Sequence, residues 1–381
     1  MKYLFFPIFL LLFSSCKQEK KQSRPIHATS QKISITDAKG FSIENLEGGI
    51  TIIRITSPWP DAETGFTYAL VPREKMPSIT LDKSAYDAII PVPVHKVVAT
   101  STTHIPALEA LGEINTLVGF TNTQYISSKT ARKRIDGGKV RELGNNEAIN
   151  TELVLALGPD VVFGFGIDGQ NKAYGTIKRS DIPVVYNGDW TEGSPLGKAE
   201  WIKFFAPFFG KEKEADSIFT TIKSDYLKAR DLAKKAKNKP TVLSGALYKD
   251  VWYLPAGESW AAQFIVDANA EYPWKNTKGT GSLSLSLENV LEKGQKADFW
   301  ISPSEYTSYN SIKEGNRHYT QFDAYRNKNI YTYANTKGAT GGLLYYELGP
   351  ARPDLVLKDL VHIFHPELLP DHHPYFFKPL K

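Results

Sequence analysis

NTELVLALGPDVVF, from Asn150 to Phe163, is written again in looser form as SLENVLEKGQKADFWI from Ser286 to Ile301. Each copy opens on a polar residue suited to cap a helix, places a glutamate in the first helical turn, and then turns into an apolar strand behind an aspartate. A short helix followed by a short apolar strand is the unit of α/β architecture. Finding that unit twice, well separated in the chain, predicts two α/β lobes. Acidic residues favour helix N-termini by about 0.3 to 1 kcal/mol, which explains one such glutamate well and a matched pair less well.

Outward from the first copy, the same alternation continues. Val97–Thr100, Thr116–Phe120, Val161–Phe163 and Val184–Tyr186 read as strands, with helices over Ile105–Leu111, Glu152–Leu157 and Gly169–Arg179. Two helices follow, Pro195–Phe209 and Lys211–Lys237, separated by Gly210. The second would reach roughly 39 Å, long enough to cross between lobes. Around the other copy, Thr241–Ser244, Val251–Leu254, Phe299–Ile301 and Ile330–Tyr333 read as strands. Trp260–Asp267, Leu287–Glu292 and Asp354–Phe364 read as helices. Ahead of the first lobe, residues 33–93 show period-two alternation between Gly and Pro breaks and read as a small β extension without chemistry. The fold class is therefore α/β, two Rossmann-like lobes joined by a long helix. Its divisions are 33–93 (extension), 94–194 (first lobe), 195–239 (bridge), 240–366 (second lobe) and 367–381 (a surface tail).

At the amino end, MKYLFFPIFLLLFSSC carries one lysine, an apolar run and two serines before Cys16, the sole cysteine of 381 residues. The run is roughly ten residues, about half of what a membrane-spanning helix needs, so cleavage after Ser15 is expected. Cys16 after small residues resembles the bacterial lipobox, which implies acylation and a lipid anchor; Phe13 departs from the usual leucine. Residues 17–32 are polar and read as a flexible tether. One cysteine excludes a disulfide framework. The net charge of +5, from 46 basic and 41 acidic residues, is spread along the chain and gives no nucleic-acid footprint.

Four stretches in register then carry a family resemblance: 97–120 (VVATSTTHIPALEALGEINTLVGF), 150–163, 194–215 (SPLGKAEWIKFFAPFFGKEKEA) and 285–302 (LSLENVLEKGQKADFWIS). Together they resemble the substrate-binding proteins of ABC importers for cobalamin, ferric siderophores and haem. The resemblance implies a lipid-anchored monomer in the cell envelope, facing the periplasm. It would capture a metal chelate and hand it to an inner-membrane permease with its ATPase, doing no chemistry itself. Glu152 and Glu288 match the positions that dock onto permease arginines. Lys17, rather than aspartate, after Cys16 leaves either membrane open as the anchor. The alternative is a surface lipoprotein that binds haem or another ligand without a dedicated transporter.

In such a fold the ligand lies between the lobes, against loops at strand ends and helix N-termini. The candidates are Ser101, Thr102, Thr103, His104, Asn122, Tyr125, Asn145, Phe165 and Trp190 from the first half, and Tyr248, Trp252, Glu258, Ser259, Trp260, Ser282 and Ser302 from the second. Aromatic faces suit a large, flat, partly apolar ligand. His104 is a possible metal ligand, although a capping role is commoner. The histidines at 362, 365, 372 and 373 lack metal-site spacing. Gly279–Ser282 lacks the lysine of a phosphate loop. No G-x-S-x-G or H-E-x-x-H occurs, and Glu152 and Glu288 belong to different lobes, so neither catalysis nor a cofactor is expected.

Overall fold

The computed structural model of the protein describes residues 31–381, so Cys16, the signal segment and most of the tether lie outside the described residues. The first lobe holds a parallel sheet of five strands in the order Val184–Tyr186, Val161–Gly164, Val97–Ala99, Leu117–Phe120, Arg141–Glu142. Helices cover both faces of such a sheet, and its strands are accordingly apolar throughout. Period-two alternation sorts the side chains between two cores. Val97, Ala99, Val161, Phe163 and Val185 join one cluster, whereas Val98, Val162, Val184 and Tyr186 join another.

The N-terminal extension is a sheet of five strands, Gln31–Lys32, Phe41–Leu46, Ile50–Ile55, Phe66–Pro72 and Ala88–Val92, antiparallel except for the last pair. Ile43, Ile53, Ile55, Tyr68, Leu70 and Ile90 share a core with the bridge residues Phe204, Phe205, Phe208 and Phe219. Two buried carboxylates pin its entry loop to the bridge. Glu192 accepts from Lys39 N and Gly40 N, both at 2.8 Å, and Glu200 accepts from Asp37 N and Ala38 N at 2.7 and 2.9 Å. Tyr68 Oη also takes the Tyr186 N–H at 3.0 Å, closing part of the first lobe's sheet edge.

The bridge differs from its expected form. Its first helix is broken into Pro195–Glu200, Ile202–Phe205 and a 3-10 turn at Ala206–Phe208. Pro207 removes a backbone donor there. Trp201 turns toward the extension, where its indole donates to Glu192 at 3.0 Å and packs 4.6 Å from the ring of Phe41. The long helix runs Glu212–Ala233, 22 residues, or about 33 Å.

The second lobe is built around Val242–Ser244, Phe299–Ile301 and Ile330–Thr332, all parallel. Val251–Pro255 does not enter that sheet. It pairs antiparallel with Ala246–Tyr248 and Ser282–Leu285 in a separate three-stranded sheet. Gly245 makes the turn into that sheet with φ of +77°, where a Cβ would lie 1.8 Å from the Tyr253 carbonyl. The expected surface tail is also corrected. Lys378–Pro379 pairs antiparallel with Ile330–Thr332, and Phe376, Phe377 and Leu380 are buried. Asp359 draws the segment in, accepting from Tyr375 N at 2.8 Å, Phe376 N at 2.6 Å and His372 Nε2 at 2.8 Å.

The repeated aspartates have an architectural role. Asp160 accepts from His95 N and Lys96 N at 2.7 and 3.0 Å, just before the central strand of the first lobe. Asp298 accepts from Thr241 N at 2.7 Å, just before the first strand of the second. Each aspartate thus staples its own strand to the start of a neighbour.

Candidate functional site

Parallel strands direct their C-terminal ends, and the loops that leave them, to one edge of the sheet, where ligands of open α/β folds bind. In the first lobe those loops hold Ser101–Thr103, Asn122–Tyr125, Phe165 and Asn187–Trp190. Ser101 Oγ and Thr103 Oγ1 share a hydrogen bond of 2.9 Å, and Thr103 also bonds the buried carboxyl of Asp189. Burial raises that carboxyl against the opposing pull of Lys198.

Lys198 sits on the helix Pro195–Glu200, whose N-cap is Ser194 and whose first residue is proline. Its Nζ donates to the carbonyls of Asp189 and Trp190, both at 3.0 Å. Burial pushes the ammonium down to about 8, although Asp189 and Glu192 favour its charge. The same Nζ lies 5.1 Å from the ring centre of Trp260, which opens a helix of the second lobe. From there an aromatic wall continues. Trp260 stacks on Tyr345 at 5.7 Å, Tyr345 on Tyr333 at 4.9 Å, and the Tyr333 and Tyr346 hydroxyls share a 2.7 Å hydrogen bond. On the first lobe's side Phe165 and Trp190 are 5.5 Å apart, and the buried Trp190 indole nitrogen has no partner. Lys198 therefore joins two aromatic walls across the interlobe seam. A cavity of about 540 Å³ lies beside it, bounded by Thr103, Asp189, Lys198, Ile222, Leu348 and Arg352. None of the wall rings lines that cavity, which also carries Glu109, Asp225 and Asp354; the part-exposed faces of Phe165, Trp190 and Trp260 are what suits a broad, partly apolar solute.

Of the residues singled out from sequence, Ser101, Thr103, Phe165, Trp190 and Trp260 come together here, with Thr102 in the same loop. Asn122 and Ser302 hold left-handed backbone at the ends of strands, with φ of 53° and 54°. Tyr125 is exposed in a loop that meets the second lobe. Three candidates are corrected because they offer no face to a solute. His104 is fully buried 5.6 Å from Phe205, Trp252 is core against Trp300 and Tyr319, and Ser259 caps its helix through Ala262 N. Asn145 caps a 3-10 turn, and Tyr248 and Ser282 lie on the separate three-stranded sheet. Glu258 holds the neighbouring loop through Lys278 and Gly279 N, both at 2.9 Å.

Lys198 and Tyr346 were missed, as were Tyr333 and Tyr345, which back the wall from buried positions. A lysine four residues after a Ser-Pro helix start carries a weak signal; the tyrosines, after the last parallel strand of the second lobe, needed only that loop to be treated like the others.

Glu152 and Glu288 occupy equivalent first-turn positions, in the helices Thr151–Leu157 and Leu287–Gly294, and both are exposed. Asn150 and Ser286 cap these helices, and hydrogen bonds from the Glu288 amide and Ser286 hold the Glu288 carboxyl below its ordinary range. Each helix leads into a parallel strand, so its N-terminus faces the edge of the sheet that carries the seam. Among the described residues no cluster of three or more His, Cys, Asp or Glu is arranged to hold a metal ion, and no helix is long and apolar enough to cross a membrane.

The periplasmic binding protein family profile matches residues 97–336, from the first parallel strand to just past the last of the second lobe. The chain belongs to that family. An uncharacterised lipoprotein of Methanocaldococcus jannaschii is 30% identical over 299 residues, which cover 76% of this chain and 69% of that protein. The fold is similar to a periplasmic heme-binding protein of Pseudomonas aeruginosa, with a TM-score of 0.57 and 17% identity over 76% of this chain and 98% of the other. It is also similar to an ABC transporter substrate-binding protein of Listeria monocytogenes, with a TM-score of 0.52 and 20% identity over 71% of this chain and 98% of the other. The N-terminal sheet precedes the stretch matched by the profile.

Proposed function

We propose that this periplasmic binding protein is the lipid-anchored, solute-capturing component of an ABC importer, and that its cargo is a metal chelate such as an iron-siderophore, cobalamin or haem. The observation that carries this is the seam itself. Trp190 and Phe165 on one lobe and Trp260 on the other, all part-exposed, are linked through Lys198, with the buried Tyr345 and Tyr333 stacked behind Trp260, so rings stand on both sides of the place where the lobes meet. The Listeria protein described as an ABC transporter substrate-binding protein supports the importer role, and the Pseudomonas protein described as heme-binding supports the class of solute. The lipoprotein relative supports an anchor at Cys16. Delivery is assigned to Glu152 and Glu288, two carboxylates held at a fixed spacing by the lobes, which select one docking pose on permease arginines. The protein binds and presents its cargo without transforming it.

The test is a thermal-shift panel of the anchored protein's folded body with haemin, cyanocobalamin and several ferric siderophores. A specific ligand at a hundredfold excess over its Kd stabilises the native state by about 2.7 kcal/mol and raises Tm accordingly. If no chelate in the panel raises Tm, the assigned cargo is wrong.

A further inference from the structure

Two helices beside the lobe junction turn apolar faces toward the same space without closing on one another. The helix His104–Ala110 presents Pro106, Ala107 and Ala110, and the long helix Glu212–Ala233 presents Ile218, Thr221 and Ile222, each set at the spacing of one helical face. Faces of that kind ordinarily interdigitate, and packed interiors leave few voids larger than a water molecule. Here they bound the cavity of about 540 Å³ that lies beside Lys198. Leu348, Pro350 and Ala351 of the second lobe complete its wall, so both lobes and the helix that joins them contribute. Its volume falls within the range of small-molecule sites, roughly 300 to 1,000 Å³.

The charged groups around this space decide what it can hold. Two cationic side chains line it, Lys198 and Arg352, and both are engaged. Lys198 Nζ donates to the carbonyls of Asp189 and Trp190, both at 3.0 Å, and Arg352 is held by Asp354 through bonds of 2.9 and 2.8 Å. Two carboxylates remain without a strong cationic partner. Glu109 accepts from a hydroxyl, Ser128 Oγ, and among the described residues it has no ion pair. Asp225 meets Lys228 at 3.3 Å along their own helix, an exposed pair that contributes little. Both carboxylates are part-exposed and so stand where the cavity opens, with the exposed Ala110 next to one and the exposed Thr221 a turn before the other. Deeper in, the walls are apolar, and Ile202, Phe205 and Ile222 are buried.

We propose that this cavity is a second binding site, separate from the ring-lined seam, for a small primary amine whose hydrocarbon body lies between the two helices and whose ammonium group donates to Glu109 and Asp225 at the opening. Ammonium-to-carboxylate hydrogen bonds are of the strong, charge-assisted kind, and a primary ammonium has three donors to share between two acceptors. A carboxylate of the same shape would meet two like charges there and find Lys198 and Arg352 already engaged. None of the seam's rings lines the cavity, so the proposal stands whatever cargo the seam binds.

Isothermal titration of the whole chain with 4-phenylbutylamine, 4-phenylbutanol and 4-phenylbutyrate tests this, because the three probes share one body and differ in charge. The amine should bind with one-to-one stoichiometry and at least about tenfold more tightly than either of the others, the step between a charge-assisted and a neutral hydrogen bond. A Glu109→Gln, Asp225→Asn double variant keeps the shapes and should reduce the amine's affinity to that of the alcohol. Ala110→Trp, at an exposed position on the cavity wall, should block all three probes, with Tm as the control for folding. No binding of the amine, equal binding of amine and carboxylate, or amine binding that is unchanged in the double variant or in a folded Ala110→Trp protein overturns the proposal. If Ala110→Trp unfolds the chain, the double variant alone decides between the two outcomes.

Discussion

At the scale of single residues, burial decides which groups are free to meet a solute. His104 begins the helix His104–Ala110 from a fully enclosed position, with neither ring nitrogen paired, and desolvation pushes its imidazole down to about 3. The unfolded chain takes up a proton near the ordinary value of 6.5, whereas the folded chain does not until far lower pH. The unfolded state is therefore favoured progressively as pH falls below 6.5, by about 2 kcal/mol between pH 7 and pH 5. His104→Phe removes that cost, so urea unfolding at the two pH values should show a smaller loss of stability in the variant than in the native protein. An equal loss in both would mean that His104 is protonated in the folded state. Sequence alone shows a histidine after a strand and cannot show that Phe205 and the helix close over it. The same blindness applies to Trp252, whose aromatic character suits a cleft and a core equally.

At the scale of elements, the repeated helix-turn-strand unit was legible because capping, an acidic first turn and an apolar strand are local in sequence. Asn150 and Ser286 cap as their types require, with side chains that accept from Leu153 N and Asn289 N. Trp260–Asp267 and Phe299–Ile301 fall where their patterns place them. What escaped was set by partners distant in the chain. The break after Glu200 depends on Trp201 reaching Glu192 and Phe41, and the buried C-terminal segment depends on Asp359. Val251–Pro255 has the composition of a parallel strand but pairs with its neighbours in a hairpin, a choice composition does not encode. The matched glutamates carry a prediction at this scale. A Glu152→Ala, Glu288→Ala double variant should bind cargo normally and lose most permease-dependent uptake, measured with the cognate transporter in vesicles. Both changes are on exposed helix starts, so the fold should be unaffected. Normal uptake would reduce the pair to helix-terminus chemistry.

At the scale of the whole molecule, two lobes share one stiff helix, a buried lysine at the seam and the hydrogen bonds from the Ser127 and Ser128 amides to Glu347. Each restrains the others, since Glu212–Ala233 cannot bend without disturbing Phe219, Ile222 and Tyr226 in two cores. Large hinge closure needs residues free to change their backbone angles, and the bridge has few. X-ray scattering of the protein with and without bound chelate should therefore give radii of gyration that agree to within about 1 Å. A large compaction would show that the lobes swing.

The N-terminal sheet, fastened to the bridge by Glu192 and Glu200, adds to this stiffness. The claim on which the rest stands is that solute binds at the ring-lined seam. Equilibrium titration of the protein and its Trp260→Ala variant with haemin, cyanocobalamin and a ferric hydroxamate measures this most directly. One chelate should bind with one-to-one stoichiometry and weaken at least about tenfold in the variant, a loss of about 1.4 kcal/mol, as expected when a stacking ring is removed. Binding of equal strength in both proteins, or no binding of any chelate, would contradict it.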